Sequence, residues 1–344
     1  MILLAYGTRP EWIKIKPLIK EFKKNNIEHI ILFTGQHVDI GQFEYDWIIQ
    51  IEDKPNRLDS IVSSITHQMW ECFHFFCKYN TETGKFIDAY VIVQGDTTSA
   101  LAVALSAFHH SVKVIHLEAG LRTYDKQNPY PEEINRRIIS QLADIHLCPT
   151  QGNANNLYNE HIDINNIHIV GNTVIDNLLQ YKDKCEYTHK ILVTLHRREN
   201  LHWIDQWFTE LERLAMYYPE YMFILPMHPN PNIQKYRSIL RHVNVINPLS
   251  YEEMLELLVK CKLIITDSGG LQEESCFFNK KCLTCRVVTE RPEAIGLSTF
   301  MVEKPELLMK TFEQHINDYK IDVVCPFGDG HSAEKIIEIL NGIK

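Results

Sequence analysis

The stretch LIITDSGGLQEES, residues 263–275, decides how the chain is read. Leu263-Ile264-Ile265-Thr266 is a short apolar run of the kind that forms a strand buried on both faces. Asp267-Ser268-Gly269-Gly270 reads as a tight turn, followed by a helix. Two adjacent glycines let a backbone pass close to a ligand without interference from Cβ. The helix behind them directs free N–H groups and a partial positive charge at the turn, which suits an anion. Glu273 and Glu274 are expected in its first turn, where they complement the helix dipole. A carboxylate one turn further in is also placed to grip ribose hydroxyls. A phosphate cradle with such a carboxylate suggests the nucleotide end of a larger ligand.

The same strand–turn–helix unit recurs along the chain. Strands are expected at 2–6, 29–33, 89–94, 112–117 and 145–148, and again at 191–195, 222–226, 243–246, 263–266 and 282–287. Amphipathic helical stretches lie between them. Repeated βα units imply parallel sheets covered on both faces, with ligands at the carboxyl ends of the strands. Two such series imply two Rossmann-like doubly wound domains, 1–170 and 171–331. The final helix, 332–344, follows Gly328-Asp329-Gly330.

Composition agrees. The chain has 344 residues, a length suited to two domains, with 45% hydrophobic and 23% charged residues. A net charge of −9 argues against nucleic acid held on a broad basic surface, so any phosphate-binding charge must be local. The N-terminus lacks the basic n-region and long apolar run of a signal peptide, and no stretch approaches a membrane span. The expected compartment is the cytoplasm. Nine cysteines at irregular spacing read as reduced, partly buried thiols. Cys282 and Cys285 lie three apart in an expected strand and point to opposite faces, a poor arrangement for one metal. No metal is expected.

Several other loops place charge at strand ends. In Gly7-Thr8-Arg9-Pro10-Glu11, a capping box and an N1 proline account for Thr8, Glu11 and Pro10. Arg9, with Lys14 just over a turn along, is left to meet a phosphate. Asp96 follows the strand at 89–94, and either caps the Ala-rich helix or presents a carboxylate. Glu118 ends the strand at 112–117. Glu132 opens a helix and either pairs with Arg136 at i, i+4 or joins the other two acids. Three carboxylates at the mouth of one sheet suit proton transfer. In the second half, His196 sits between a strand end and Arg197-Arg198, as an acid/base or phosphate-contact candidate. His228 has a similar placement, and Arg291 follows the strand that holds the cysteines.

In order, GTRPEWIK (7–14), TGQH (34–37), GDTT (95–98), HLEAGLRT (116–123), PYPEEINRR (129–137), GNTVIDNLL (171–179), HRREN (196–200), DSGGLQEE (267–274), TERPEA (289–294) and GDG (328–330) span nearly the whole chain. With these motifs it resembles the non-hydrolysing UDP-N-acetylglucosamine 2-epimerases. The resemblance implies a glycosyltransferase-B arrangement with the active site in the interdomain cleft, UDP on the second domain and the last helix folded back onto the first. It implies nucleotide and diphosphate contacts from Arg9, Lys14, Ser268, Gly269, Gly270, Glu274 and Arg291, with Arg136 and His228 as further substrate-binding residues. Asp96, Glu118, Glu132 and His196 are the implied catalytic residues. It further implies a UDP-amino sugar substrate, no cofactor and a homodimer.

The chemistry fits. No carbonyl activates the proton on C2, so loss of UDP from C1 must make it labile, giving 2-acetamidoglucal. Re-addition of UDP, with protonation from the other face, yields the epimer. The chain departs from the family in three places. Leu201-His202 replaces a frequent glycine, and Asn279-Lys280-Lys281 stands where Gly-Lys-Pro is common. Gln36-His37-Val38-Asp39 keeps only part of a glutamine-rich pattern with which bacterial members bind an activating substrate molecule. A 6-deoxy UDP-amino sugar is the alternative substrate, although relatives of that type have a shorter span between the EAG and PEE motifs. A hydrolysing epimerase and a UDP-sugar glycosyltransferase are the more distant readings.

Overall fold

The computed structural model describes residues 1–37, 44–52 and 56–342. Val38 and Asp39 of the glutamine-rich segment, and the last two residues of the final helix expected at 332–344, lie outside them.

The first half opens with β1 (Ile2–Tyr6), α1 (Arg9–Lys24), β2 (His29–Phe33), β3 (Trp47–Ile48) and α2 (Arg57–Phe76). A small antiparallel hairpin follows, β4 (Lys78–Asn80) and β5 (Lys85–Ile87). Next come β6 (Tyr90–Gln94), α3 (Thr98–His109), β7 (Lys113–Leu117), α4 (Glu132–Leu142), β8 (Ile145–Cys148), α5 (Gln151–Asn159) and β9 (Ile167–Ile169). The main sheet runs β3-β2-β1-β6-β7-β8-β9, parallel throughout. Its order reverses between β1 and β6, so the switch-point crevice opens beyond Tyr6 and Gln94.

Both faces of this sheet are buried, which is why its strands are continuously apolar. Leu3, Ala5, Val91, Val93 and Val114 pack against Ile61, Ile65 and Met69 of α2 and the small residues of α3. Leu4, Tyr6, Ile92, Ile115 and Leu147 pack against Trp12, Ile15 and Leu18 of α1. That same cluster takes in Ala333, Ile336 and Ile337 of the final helix.

The second half contains β10 (Lys190–Thr194), α6 (Ile204–Tyr217), β11 (Met222–Pro226), α7 (Pro231–Gln234), β12 (Asn244–Ile246) and α8 (Tyr251–Lys260). It continues with β13 (Leu263–Thr266), α9 (Gly269–Phe277), β14 (Cys282–Thr284), β15 (Thr299–Met301) and α10 (Leu308–Ile316), before the final helix α11 (Ser332–Gly342). The sheet order β12-β11-β10-β13-β14-β15 is the doubly wound order with its switch point between β10 and β13. Its core joins Ile191, Val193, Phe223 and Ile265 to Trp207, Phe208 and Leu211 of α6 and Phe312 of α10.

The chain separates into one compact unit of Met1–Asn177 with Gly330–Lys344, and a second of Leu178–Asp329. The divisions fall at 177/178 and 329/330, not at the expected 170/171 and 331/332. Hydrogen bonds explain the first shift. Asn177 Nδ2 donates to the Ile13 carbonyl at 2.8 Å, tying this segment to α1. The Asp176 carboxylate accepts the N–H groups of Ser332 and Ala333 at 3.0 and 2.7 Å, so it caps α11. Among the described residues, no helix is long and apolar enough to cross a membrane.

Candidate active site

In the first unit the loops beyond β1, β6 and β7 are stitched to one another. The Glu11 carboxylate accepts the N–H groups of Gly7 and Thr8 at 2.9 and 2.7 Å and the Thr97 hydroxyl at 2.6 Å. The capping box is therefore present, and its glutamate also fixes the GDTT loop. Burial raises the Glu11 carboxyl pKa against these bonds, which lower it. Gly7 is required for close approach, since a Cβ there would lie 2.2 Å from Thr34 Oγ1.

Glu118 is the centre of this region. Its residue is buried, yet its φ is +66°, a left-handed conformation costly for a residue with a side chain. Lys14 Nζ donates to both carboxylate oxygens at 2.7 and 2.6 Å. Asn172 Nδ2 adds a bond of 2.9 Å, and Gln94 Nε2 donates to the other oxygen. Lys14, expected at the diphosphate, thus holds the carboxylate. Gln94 and Asn172 were not singled out in the sequence. Both lie in quoted or adjoining motif residues, but nothing in their spacing says that they meet Glu118.

Asp96 leaves β6 beside Glu118, because Gln94 is in register with Leu117 of β7. It does not cap α3: Thr97 does, accepting the Ala100 N–H at 3.0 Å. The reason is geometric, since Asp96 lies one residue outside the N-cap position. Its carboxylate instead takes Arg136 Nε at 3.0 Å and also Arg136 Nη2. Arg136 is itself buried and bonds Glu133 at 3.3 Å. Glu133 in turn accepts the N–H groups of Thr123 and Tyr124, both at 3.0 Å, which shapes the loop before α4. Glu132 is half-buried at the first residue of α4. Arg9 is exposed, and no carboxylate among the described residues forms an ion pair with it. Behind the site, burial pushes the His116 imidazole down to about 4 while Gly95 O holds its Nε2 at 2.8 Å.

In the second unit the glycine pair sits differently from the sequence expectation. Ser268 is the N-cap and Gly269 already belongs to α9, so Gly269 and Gly270 form the first turn of the helix. Glu273 and Glu274 consequently lie in its second turn, and no acid occupies the first. Among the described residues no side chain caps this helix, which leaves its N-terminal N–H groups available to an anion. Arg291 lies across that turn: a Cβ on Gly269 would fall 2.5 Å from Arg291 Nη1. A Cβ on Gly270 would meet nothing within 4 Å. Glu273 anchors Arg291 Nε at 2.6 Å, and Glu290 lies 3.5 Å from Nη1. Glu274 accepts the Tyr251 hydroxyl at 3.2 Å, a contact that, after burial, raises the phenol pKa.

His196 stands just past β10, half-buried, with its ring stacked on His228 at 5.5 Å between centroids and 10° between planes. His228 is exposed and its Nδ1 accepts the Asn230 N–H at 3.1 Å. Asn279, where a glycine is common in the resembled family, adopts φ +54°, the left-handed turn that asparagine tolerates. The Cys282 and Cys285 thiols are fully buried. Desolvation pushes Cys282 up to about 12 and Cys285 well above its ordinary value.

Residues 20–341 match the UDP-N-acetylglucosamine 2-epimerase family. The chain is 37% identical to the UDP-N-acetylglucosamine 2-epimerase of Campylobacter jejuni, across 98% of this chain and 97% of that protein. It is 34% identical to the Neisseria meningitidis protein of that name, across 98% of each. The crystal structure of UDP-GlcNAc 2-epimerase from N. meningitidis bound to UDP-GlcNAc aligns with a TM-score of 0.87 at 32% identity, covering 99% of both chains. That of the Methanocaldococcus jannaschii enzyme in complex with UDP-GlcNAc and UDP aligns with a TM-score of 0.81 at 29% identity, also over 99% of both. With its motifs, its two parallel doubly wound units and these likenesses in agreement, the chain belongs to the UDP-N-acetylglucosamine 2-epimerase family, a family of isomerases.

Proposed function

We propose that this chain interconverts UDP-GlcNAc and UDP-ManNAc without hydrolysis. UDP leaves C1 as a carboxylate removes the C2 proton, giving UDP and 2-acetamidoglucal. UDP then adds back at C1 while a second group delivers a proton to the opposite face of C2. The net change is neutral in redox terms, so the reading assigns no cofactor. Asp96, Glu118, Glu132 and His196 are the acid/base groups of this scheme. Arg9, Arg291 and the first turn of α9 through Ser268, Gly269 and Gly270 hold the diphosphate, with Glu274 on the ribose. Lys14 and Arg136 keep Glu118 and Asp96 in place, and His228 supports His196. The reading includes a cytoplasmic homodimer serving polysaccharide biosynthesis.

The observation that carries the reading is the pair of acids at adjacent strand ends. Asp96 and Glu118 are each gripped by cationic donors on the neighbouring helices α4 and α1. Acids so fixed are placed for proton transfer without reorganisation. The test is to incubate the chain with UDP-GlcNAc alone in D₂O and follow proton NMR. The expected product is UDP-ManNAc carrying deuterium at C2. Free ManNAc would point to a hydrolysing enzyme. No reaction here, with turnover of a 6-deoxy UDP-amino sugar, would reassign the substrate. Full retention of the C2 hydrogen through multiple turnovers would defeat the elimination scheme.

A further inference from the structure

Asp267 is a wholly buried acid at the switch point of the second sheet. It leaves β13 beside His196, since Thr266 is in register with Thr194 of β10. Its Oδ2 accepts the N–H groups of His196 and Arg197 at 2.9 and 2.8 Å and Asn200 Nδ2 at 3.1 Å. Its Oδ1 is the unusual atom. It is buried, has no hydrogen-bond partner among the described residues, and faces His196 Nδ1 at 3.6 Å. An unsatisfied carboxylate oxygen out of water is costly. A proton on His196 Nδ1 relieves that cost, because a small rotation of the ring closes the gap to hydrogen-bond length.

We propose that Asp267 is the positioning residue of His196, holding the neutral imidazole as its Nδ1–H tautomer so that Nε2 is the atom that exchanges protons. This rests on the reading of His196 as an acid/base group. When Nε2 accepts a proton it forms an N–H bond and the ring becomes imidazolium. Asp267 stays ionised throughout and supplies the counter-charge. Burial, Arg197 and the stacked His228 all disfavour the imidazolium, and Asp267 alone opposes them. Cys285 is a further titratable neighbour, with a thiol whose ionisation is suppressed first by burial and then by the Asp267 carboxylate.

The test starts with the full chain. Nitrogen-15 NMR of the histidine rings, with His196 assigned by its loss in His196→Gln, should find the neutral ring protonated on Nδ1. The Nε2–H tautomer would overturn the proposal, and this measurement needs no Asp267 variant to fold. In Asp267→Asn, the amide oxygen can still accept the backbone N–H groups, but its NH₂ now meets Nδ1. The ring should change tautomer, its pKa should fall, and the pH–rate limb that it controls should move to lower pH. Turnover should drop about 10²-fold or more with KM changed less. Loss of stability with an unchanged tautomer and pH profile would make Asp267 a turn-forming residue only and defeat the inference. Full turnover in His196→Gln would instead remove the acid/base role of His196, a failure of the underlying reading that the tautomer result does not share.

Discussion

At the carboxyl edge of the first sheet, acids are held by cations. Glu118 is gripped by Lys14, and Asp96 by Arg136. At the carboxyl edge of the second sheet the construction is reversed, and a cation is held by acids: Arg291 is gripped by Glu273 and Glu290. Both edges arise from the same βα geometry, so the backbone does not set the sign. The difference lies in which group is left to act. The first edge keeps carboxylates in a fixed place, as the proposed proton transfer requires. The second lays a guanidinium over an uncapped helix N-terminus, a combination that favours a phosphate. Each charge arrives already paired, which limits the reorganisation needed when a ligand's charge changes.

The largest expected effect tests the acid edge. Glu118→Gln keeps the shape of the side chain but cannot take a proton. Turnover should fall about 10²–10⁴-fold, with the loss in kcat more than in KM and UDP affinity by calorimetry unchanged. Near-normal turnover would reduce Glu118 to the anchor of Lys14, and the contrast between the two edges would lose its functional meaning.

Next comes the cation edge. Arg291 is 7% exposed and Glu273 1%. Arg291→Ala removes the guanidinium that pairs with the buried Glu273 carboxylate, so unfolding stability should fall by roughly 3–5 kcal/mol. UDP binding should weaken by about 1.5–3 kcal/mol. Denaturant melts and calorimetry report the two separately. Loss of stability with intact UDP affinity would make Arg291 a structural residue and move the phosphate elsewhere.

The smallest effect separates the two glycines. Alanine at 270 meets open space and gains helix propensity, so Gly270→Ala should hold or raise stability by up to about 1 kcal/mol while weakening UDP. Alanine at 269 meets the Arg291 guanidinium and should cost about 1–3 kcal/mol. Equal behaviour of the two variants in both melts and UDP titrations would mean that Gly270 does not face the nucleotide.

Much of this was legible in the sequence. Continuous apolar runs alternating with amphipathic stretches gave both parallel sheets, because a strand buried on both faces needs apolar side chains throughout. The shortest elements escaped. β3, β4, β5, β9 and β15 have two or three residues each, too few to set a period by themselves; β12 and β14 are as short but lie within the longer expected runs 243–246 and 282–287. The start of α9 was misplaced because glycine carries no helical preference, and only its position after the Ser268 N-cap makes Gly269 helical. The turn residues that present Asp96, Glu118 and His196 stood out because they combine charge with a strand end.

The sequence by itself determined which residues stand at the ends of the strands, since local periodicity and turn chemistry act within a few residues along the chain. Only the tertiary structure decided who meets whom. Lys14 reaches across 104 residues to Glu118, Arg136 across 40 to Asp96, and His196 across 71 to Asp267. Such pairs depend on strand order and register, and the two switch points that bring them together are properties of the assembled open sheets, where charges leaving water must find partners of opposite sign.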